Sequence, residues 1–470
     1  MKTSDRVHRH RPVAVERPIG GMPEREMMTA ATRKLHEAVD ARIRRHRCAF
    51  LHPHGESVPT DLLGSQTMVD WQEEKARRSF LGEACWSSLP PVYARYGSRS
   101  SQRLLARVKN LENATSVVLT DSGMQACALL MDVLFEPHTE AVVARGSYNK
   151  TKTYLKRLAE RQGGQVRLVE EASQLELERA LTDKTRIVFV ETYSNPLMRA
   201  VDVPGLVERI AGARKGNPGL HLIVDNTIAT PWGTKAPLLD WGVDFVVASG
   251  TKALDGRDRN LWGYIASHRA REMNDVMDLQ AMRGGILDWR RAEDIESELD
   301  EARGRFERRC EAATEVAAFL ERHPQVSEVH HPSLPNHRDA AIVRRDYRLP
   351  GSLVSFRLHD ADESSTRHFC DVLAMTRVPR YALSFDGLVT KVNHHRTVSE
   401  YFTPEKEVRD MGVDRLVRLG IGLEATDDLI DCLEWALLNF RQISAERVAS
   451  FQSERRRELR LIDREGEEDP

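Results

Sequence analysis

The chain has no apolar run long enough to span a bilayer, and its N-terminus is rich in arginine and histidine without the apolar core of a secretory signal. Cysteine is scarce: the six cysteines form no C-x-x-C pair and no Cys/His metal-ligand spacing. Neither sign of charge dominates, because 69 Lys and Arg residues face 71 Asp and Glu residues. The sequence therefore predicts a cytoplasmic protein with free thiols, no metal site, and no nucleic-acid or membrane partner.

What the chain does have is length and hydrophobic content. With 470 residues, 41% of them hydrophobic, it is long enough to bury a large core and to form two domains or more. A charged stretch from about residue 288 to 322 predicts a long helix between domains. We expect an N-terminal arm over 1–60, a large domain over 61–300, a smaller domain over 301–447, and a charged tail over 448–470 that is disordered at its end.

Two short apolar runs mark the centre of the large domain. Residues 222–224 and 245–248 lack polar alternation, which is typical of strands buried on both faces of a parallel sheet. Asp225 directly follows the first run, and Lys252 lies shortly after the second. Because ligands bind at the carboxyl ends of the strands in an open α/β sheet, we expect both side chains to reach the same edge.

A carboxylate and a lysine at one sheet edge are what a pyridoxal phosphate (PLP) site requires. The lysine forms a Schiff base with the cofactor, and the carboxylate keeps the pyridine nitrogen protonated so that the ring withdraws electrons. Taken singly, an aspartate after a strand is more often a turn or cap, and a loop lysine is usually solvated. The triplet S-G-T before Lys252 favours the PLP interpretation, since Ser249 and Thr251 bring two hydroxyls to a phosphate beside that amine.

The motifs V-D-N-T-I-A-T-P and S-G-T-K, which contain Asp225 and Lys252, resemble those of the Cys/Met-metabolism family of PLP-dependent enzymes. That family includes cystathionine γ-synthase, cystathionine lyases and methionine γ-lyase, and the resemblance extends from about residue 93 to 438. It implies fold type I, as in aspartate aminotransferase: a large α/β domain with a mostly parallel seven-stranded sheet, plus a smaller α+β C-terminal domain. It also implies pyridoxal 5'-phosphate as the cofactor.

The resemblance implies further contacts to the cofactor phosphate. The motif S-G-M places the phosphate on the backbone amides of Gly123 and Met124, at the start of a helix. Tyr93 and Arg95 match a tyrosine and an arginine that reach the cofactor phosphate of the other subunit, where a guanidinium can bind two phosphate oxygens. The likeness therefore implies at least a homodimer, and a homotetramer is expected.

Four more residues match family positions around the ring and the substrate. Tyr148 is expected to stack on the pyridine ring and to serve as an acid or base. Asn195, in the motif S-N-P-L, is expected to bind the ring hydroxyl or the substrate carboxylate. Arg418 matches the arginine that binds the α-carboxylate, and a buried strand arginine is rare unless it meets an anion. Ser384 is expected to contact the same carboxylate.

Three segments depart from the family pattern. The loop after Lys252 reads A-L-D-G-R-D-R-N-L-W-G and is predicted to give the outer pocket a charged, unusual shape around Arg257. Leu383 stands where cystathionine enzymes often carry a glutamate, so the electrostatic hold on a distal ammonium is lost. The segment N-H-H-R-T-V-S-E, around His394, replaces the usual H-P-A-x-M-T-H. Together these departures argue against a straightforward cystathionine enzyme.

The resemblance implies a lyase or transferase of amino-acid metabolism with trans-sulfuration-like chemistry. The expected reaction is γ-substitution or γ-elimination on an activated homoserine-like or sulfur-containing amino acid, through a vinylglycine-type intermediate, with Lys252, Tyr148 and Asp225 as the catalytic groups. One alternative is a specialised biosynthetic enzyme in which S-adenosylmethionine supplies the γ-leaving group and an unusual carbon nucleophile attacks. An alternative of another class is a non-catalytic PLP-binding relative.

Overall fold

The computed structural model describes residues 29–38, 94–170, 174–401 and 403–458. Most of the N-terminal arm, Tyr93 and the last twelve residues, 459–470, lie outside the described residues. Within the described ranges, none of the helices combines the length and the apolar character that a bilayer crossing requires. No cluster of histidine, cysteine or acidic residues in the same ranges could hold a metal ion.

Helices and strands alternate over the first half of the described chain, and the bounds of all its α-helices and strands are as follows. The helices are α1 (30–38), α2 (Arg99–Glu112), α3 (Gly123–Leu134), α4 (Asn149–Gln162), α5 (Gln174–Ala180), α6 (Val203–Ala213), α7 (Thr230–Gly233), α8 (Ala270–Arg283), α9 (Trp289–Arg322), α10 (Ala340–Asp346), α11 (Glu363–Met375), α12 (His395–Val398), α13 (Glu405–Asp410), α14 (Thr426–Asn439) and α15 (Ala445–Glu458). The strands are β1 (Ser116–Thr120), β2 (Glu140–Ala144), β3 (Gln165–Val169), β4 (Thr185–Glu191), β5 (His221–Asp225), β6 (Phe245–Ala248), β7 (Gly263–Ser267), β8 (Val326–His330), β9 (Leu353–Leu358), β10 (Arg380–Tyr381), β11 (Lys391–His394) and β12 (Val417–Gly420).

The large domain is built on a seven-stranded sheet with the order β1-β7-β6-β5-β4-β2-β3. Strands β2 to β6 run parallel, and only β7 is antiparallel to its two neighbours, β1 and β6. The register pairs Glu191 with Asp225 and Asp225 with Val247, so the carboxyl ends of β4, β5 and β6 lie side by side. This is the mostly parallel sheet that was predicted, with the expected strands at its centre.

The smaller domain has a five-stranded sheet in the order β10-β11-β12-β9-β8, antiparallel except for the pair β10 and β11. Its hydrophobic core is separate from the core of the large domain. The large-domain core includes buried residues of α9 as far as Cys310, and the small-domain core begins at Ala312. Helix α9, 34 residues long, therefore contributes to both cores.

The C-terminal segment differs from the expected charged tail. Helix α15 continues to Glu458 and buries Val448 and Phe451 in the core of the small domain. Arg377 of the small domain also pairs with Glu458 at 2.9 Å. The two buried apolar residues are hidden in a highly charged sequence, and their spacing of three places them on one helix face. The small domain therefore extends past the expected boundary at residue 447.

One buried acid lies in the large-domain core, where sequence reasoning did not point to it. Glu112, the last residue of α2, accepts a hydrogen bond from the hydroxyl of Tyr264 on β7 at 2.5 Å, and both side chains are buried. Its other oxygen, Oε2, has no hydrogen-bond partner in the described part of the chain. Burial raises the pKa of Glu112 to about 7, because the charged form is poorly solvated there.

We expect the Glu112→Gln variant to change how stability depends on pH. Between about pH 4.5 and 7 the folded state binds the proton of Glu112 more tightly than the unfolded state, so this group's contribution to stability is lost as the pH rises through 7. Glutamine keeps an acceptor for Tyr264 and does not titrate. The variant should gain stability relative to wild type between pH 5 and pH 8, by on the order of 3 kcal/mol. Unfolding curves at the two pH values measure the difference, and a constant offset between the proteins would contradict the burial argument.

Candidate active site

A cavity of about 450 Å³ lies at the carboxyl ends of β4, β5 and β6, where it also meets the small domain. Nine of the residues expected from the sequence line it: Gly123, Met124, Tyr148, Asn195, Asp225, Ser249, Thr251, Lys252 and Arg418. The chain thus brings side chains from distant segments of the sequence into one place. Their individual roles remain predictions.

Lys252 is an amine held in apolar surroundings. Its Nζ donates a hydrogen bond to the Ser384 hydroxyl at 2.7 Å and lies 4.9 Å from the centre of the Phe385 ring. Burial, together with the nearby positive charges of Lys391 and Arg418, lowers the pKa of Lys252 to about 8. A substantial fraction of the amine is therefore neutral near physiological pH, which is the form that condenses with an aldehyde.

Asp225, at the end of β5, is a carboxylate without a cationic partner. Oδ1 accepts hydrogen bonds from the Thr227 amide at 2.9 Å and from the Thr227 hydroxyl at 2.5 Å. In the described part of the chain Oδ2 accepts none, and no basic side chain pairs with this carboxylate. Burial raises the pKa of Asp225 to about 6, although the Thr227 bonds oppose that shift. The arrangement fits a cation above Asp225, such as a protonated pyridine nitrogen.

The start of α3 offers an anion site on the other side of the cavity. Ser122 caps this helix, and its hydroxyl accepts from the Gln125 amide at 3.3 Å. The amides of Gly123 and Met124 lie in the first turn and therefore have no acceptor within the helix. A Cβ at Gly123 would lie 2.6 Å from the Cβ of Ser249, so only glycine allows this close approach. The unbonded amides at this helix start face the cavity and can donate to a small anion such as a phosphate.

The two hydroxyls beside Lys252 differ in their availability. The Thr251 hydroxyl donates to the Trp262 carbonyl at 3.0 Å and accepts from the Trp262 amide at 2.9 Å, so it is engaged within its own loop. The Ser249 hydroxyl makes no hydrogen bond within the described ranges, and Ser249 lines the cavity. Its backbone amide is fixed by the Thr227 hydroxyl at 2.9 Å. Ser249 is therefore the better donor to an anion as the site stands.

Arg418 on β12 is a fully buried cation that forms no ion pair with a carboxylate in the described part of the chain. It donates to Asn195 Oδ1 at 3.0 Å and to the Leu383 carbonyl at 2.8 Å, and its Nε has no hydrogen-bond partner. Burial lowers its pKa to about 10. A buried guanidinium with free donors and no counter-charge fits the carboxylate of an amino acid.

Tyr148 stands at the cavity wall, 44% exposed, directly before α4. Its backbone amide donates to Glu191 Oε1 at 2.5 Å, which ties the start of α4 to the end of β4. Burial raises the pKa of the Tyr148 phenol, while the positive charge of Arg418 opposes the shift. At neutral pH the hydroxyl therefore keeps its proton and acts as a donor.

Comparison with known proteins identifies the family to which this set of cavity residues belongs. The family model described as Cys/Met metabolism PLP-dependent enzyme matches residues 86–438. The chain belongs to this family. It is therefore a PLP-dependent enzyme of Cys/Met metabolism, and the residues just described fit the cofactor: an amine of lowered pKa, a carboxylate without a cation, and a glycine cradle at a helix start.

Several differently named enzymes of the family are similar to this chain. L-methionine gamma-lyase of Fusobacterium nucleatum subsp. nucleatum is 30% identical over 378 residues, which is 79% of this chain and 91% of that protein. O-succinylhomoserine sulfhydrylase of Pseudomonas aeruginosa is 31% identical, over 80% of this chain and 89% of that one. Among solved structures, cystathionine gamma synthase from Xanthomonas oryzae pv. oryzae in complex with cystathionine superposes with a TM-score of 0.69 at 26% identity, covering 74% and 88%.

The charged residues of the loop after Lys252 do not line the outer pocket of this Cys/Met-family enzyme, so the prediction of a charged pocket around Arg257 is wrong. Arg257 pairs with Asp294 at 3.3 Å and with Glu298 at 2.9 Å, both on α9. Asp255 is buried and accepts from backbone amides of its own loop. Arg257 is therefore directed at α9, and Asp258 pairs with Lys391 of β11. The loop reaches the cavity lining through Leu261.

The other two departures reach the cavity in part. Leu383 lines the mouth with its side chain 69% exposed, as expected for a residue of the outer pocket. In the replaced segment, Val398 and Ser399 line the cavity. His394 does not, because its ring is buried and bonded to the Asp414 carbonyl at 2.7 Å. The mouth of the cavity is consequently more apolar than the sequence suggested.

Two expected site residues lie outside the cavity lining. Ser384 touches the site only through its hydrogen bond with Lys252. Arg95 is exposed, with its Nη1 3.4 Å from the Ala281 carbonyl. Arg95 is therefore not part of the cavity of its own chain, and Tyr93 lies outside the described residues.

Sequence reasoning missed three residues that hold the site together. Thr227 fixes Asp225, Glu191 fixes the backbone of Tyr148, and Phe385 lies against Lys252. A local signal existed for Thr227, because an aspartate commonly bonds the backbone amide two residues on. The bond between Glu191 and Tyr148 joins residues 43 positions apart and has no such signal.

Proposed function

We propose that this enzyme catalyses γ-substitution or γ-elimination on a sulfur-containing or activated homoserine-like amino acid. The proposal depends on one observation above all: the Lys252 amine, the Asp225 carboxylate and the Arg418 guanidinium line a single cavity, and the last two are without a counter-charge in the described part of the chain. Membership of the Cys/Met family and the names of the relatives agree with this reaction class.

Three residues have the main chemical roles in this proposal. Lys252 would hold the cofactor through Nζ and would move the proton at the substrate α-carbon. Asp225 would keep the pyridine nitrogen protonated. Arg418 binds the substrate carboxylate and so orients the bond to be broken. When bound, the cofactor supplies an electron-withdrawing ring that stabilises negative charge at the carbon next to the amino group.

Other residues position the cofactor and the substrate. The amides of Gly123 and Met124 and the hydroxyls of Ser249 and Thr251 are proposed to bind the phosphate; Thr251 would have to exchange its bond to Trp262 for this contact. Tyr148 would cover the ring and serve as the second acid or base. Asn195 and Ser384 complete the contacts around the ring and the substrate carboxylate, since they already bond Arg418 and Lys252, respectively.

The lining of the outer cavity favours a substrate with an uncharged side chain. Leu261, Leu383 and Val398 surround the mouth, and Phe385 lies deeper, against Lys252. Apolar side chains there offer no counter-charge for a distal ammonium, as the sequence indicated for Leu383. Arg257 and His394 lie outside the lining, and their segments reach this pocket through Leu261, Val398 and Ser399. The departures behind the S-adenosylmethionine alternative therefore bring uncharged side chains to the pocket.

A product assay tests the reaction. The purified enzyme with pyridoxal phosphate is mixed with L-methionine, L-cystathionine or O-succinyl-L-homoserine, with and without a thiol. Elimination releases a 2-oxo acid and ammonia, and substitution gives a new thioether. We expect the larger rate with a substrate whose side chain carries no ammonium. Bound cofactor without turnover of any of these substrates would contradict the proposal.

We expect Arg418→Met to weaken substrate binding more than it slows the chemical step. Loss of a buried guanidinium that binds a carboxylate costs about 3 kcal/mol, or about a hundredfold in kcat/KM. Arg415→Met is the matched control, because Arg415 is three residues earlier, about half exposed and paired with Asp414. Steady-state kinetics distinguish the two proteins. An unchanged KM for Arg418→Met would contradict the assignment.

We also propose that the enzyme is at least a homodimer and assembles as a homotetramer. Arg95 lies outside the cavity of its own chain, as required if it serves another copy. The family resemblance of the segment around Arg95 supports this role. Light scattering on the purified protein tests the assembly, and a mass of one chain would contradict it.

A further inference from the structure

A short segment of the small domain, residues 384–387, lies against Lys252. The Ser384 hydroxyl accepts a hydrogen bond from Lys252 Nζ at 2.7 Å, and the centre of the Phe385 ring lies 4.9 Å from the same atom. The lysine itself belongs to the large domain. The position of segment 384–387 therefore determines what surrounds the amine on the side of the small domain.

A buried ion pair joins segment 384–387 to the loop after Lys252. Lys391 of β11 is 6% exposed, and its Nζ donates to the Asp258 carboxylate of that loop. Gly387 packs directly on the pair, because a Cβ there would overlap the Asp258 carboxylate and lie 2.5 Å from Lys391 Nζ. Only glycine allows this close approach. The ion pair thus connects the two domains at the end of the segment.

Arg309 makes a second connection between the same two stretches. This fully buried residue of α9 donates from Nε to the Gly387 carbonyl at 3.1 Å and from Nη2 to the Gly256 carbonyl. Both bonds go to the backbone and do not involve Lys391. Replacement of Lys391 should therefore change the charge beside Lys252 more than it changes the path of the backbone.

Charged groups act on the Lys252 amine from four elements. Lys391 of β11 and Arg418 of β12 are positive, whereas Asp386 in the segment and Asp258 in the loop are negative. Burial is the largest cause that lowers the pKa of Lys252 to about 8, and the positive charge of Lys391 is the next largest. The other ionisable side chains that line the cavity come from the large domain: Cys127, Tyr148, Lys150, Glu191 and Asp225.

We propose that Lys391 is a positioning residue for Lys252, which acts through its ion pair with Asp258 and through its charge. The pair holds segment 384–387, and with it Ser384, against the amine. The charge disfavours a second positive charge on Lys252, and an amine beside another cation is a better nucleophile for that reason. Lys391 therefore makes the reactivity of Lys252 depend on the small domain. This inference rests on the proposed role of Lys252 in holding the cofactor.

Competitive labelling of the full-length protein without cofactor tests the inference. Trace acetic anhydride, which reacts with neutral amines, is applied between pH 6 and pH 10, and peptide mass spectrometry measures the label on Lys252. Lys391→Met should slow this labelling at pH 7 by about three- to tenfold, because loss of a nearby positive charge raises the pKa of Lys252. The rates of the two proteins should converge at high pH. Lys406→Met, exposed on α13 of the small domain, should be labelled as wild type is.

Asp258→Asn separates the charge from the loss of a contact. Asparagine still accepts from Lys391 through its oxygen but has no negative charge, so the pKa of Lys252 should fall and labelling at pH 7 should be faster than in wild type. The effect should be smaller than that of Lys391→Met, because the Asp258 side chain is 41% exposed and water screens its charge. Shifts in opposite directions support the proposal. Unchanged labelling in Lys391→Met, or equal or slower labelling in Asp258→Asn, would overturn it.

The label on Lys150, which lines the same cavity, checks that the reagent enters equally in every variant. Labelling requires neither cofactor nor turnover, so its result is independent of the product assay. If the two shifts are found and no substrate is converted, the proposed function alone fails. If substrate is converted and the shifts are absent, the role of Lys391 alone fails.

Discussion

Lys252→Ala should lower kcat by about a thousandfold or more. The amine at this position both binds the cofactor and moves the α-proton, and a positioned acid or base alone contributes about 10²- to 10⁴-fold. The fold should survive, because Lys252 contributes one side-chain hydrogen bond, to Ser384, and alanine removes a buried amine whose pKa burial has lowered. Steady-state assays of the wild type and the variant measure the loss.

A chemical readout separates this role from a structural one. Borohydride reduction should fix the cofactor to the peptide that contains Lys252 in the wild type and leave it unattached in the variant. A small primary amine added to the Lys252→Ala variant should restore part of the activity. Lys150 lines the same cavity, so attachment of the cofactor to Lys150 would contradict the assignment. So would full turnover by the variant.

Asp225→Asn should lower kcat by about 10²- to 10³-fold. Asparagine can still accept the two Thr227 hydrogen bonds through its oxygen, but it has no charge to hold a proton on the pyridine nitrogen. Removing a preorganised charge of this kind costs about 3–4 kcal/mol in the transition state. Thr227→Val is the informative comparison, because it removes the hydroxyl bond to Asp225 and retains the carboxylate. We expect a much smaller loss for Thr227→Val.

The pH dependence of cofactor binding tests the same assignment without turnover. Without cofactor, Asp225 is protonated below its pKa of about 6, and the protonated form does not attract a cation. Wild-type affinity for pyridoxal phosphate should therefore fall as the pH drops through 6, relative to Asp225→Asn. Equilibrium titrations at pH 5 and pH 7.5 measure this. Identical pH profiles for the two proteins would contradict the role of the carboxylate.

The centre of the site was predictable because its signals are local. Strands β5 and β6 are short and apolar, and each ends in polar residues, so Asp225 and Lys252 could be placed at one sheet edge before any pairing was known. The parallel register of the two strands then brings their ends together. The family resemblance supplied Arg418 and Asn195, which lie far apart in the sequence and meet at 3.0 Å.

The parts that could not be predicted depend on partners distant in sequence. Nothing near Arg257 shows that its guanidinium pairs with acids of α9 about 40 positions on, so the loop was assigned to the pocket. The buried carboxyl of Glu112 has its partner 152 positions away. In α15, only two apolar residues, Val448 and Phe451, stand among many charged ones. Their helical spacing was too weak a signal, and the charged composition led to the prediction of a tail. In each case tertiary contacts, rather than local propensity, decide the outcome.

Helix α9 has a mechanical consequence. At 1.5 Å per residue its 34 residues form a rod about 50 Å long, anchored by buried side chains in both halves of the molecule. A hinge between the large and the small domain would have to bend α9, which is an unbroken helix. The half that bears Arg418 and the half that bears Lys252 should consequently keep their spacing when substrate enters, with adjustment confined to surface segments such as the one that carries Leu383.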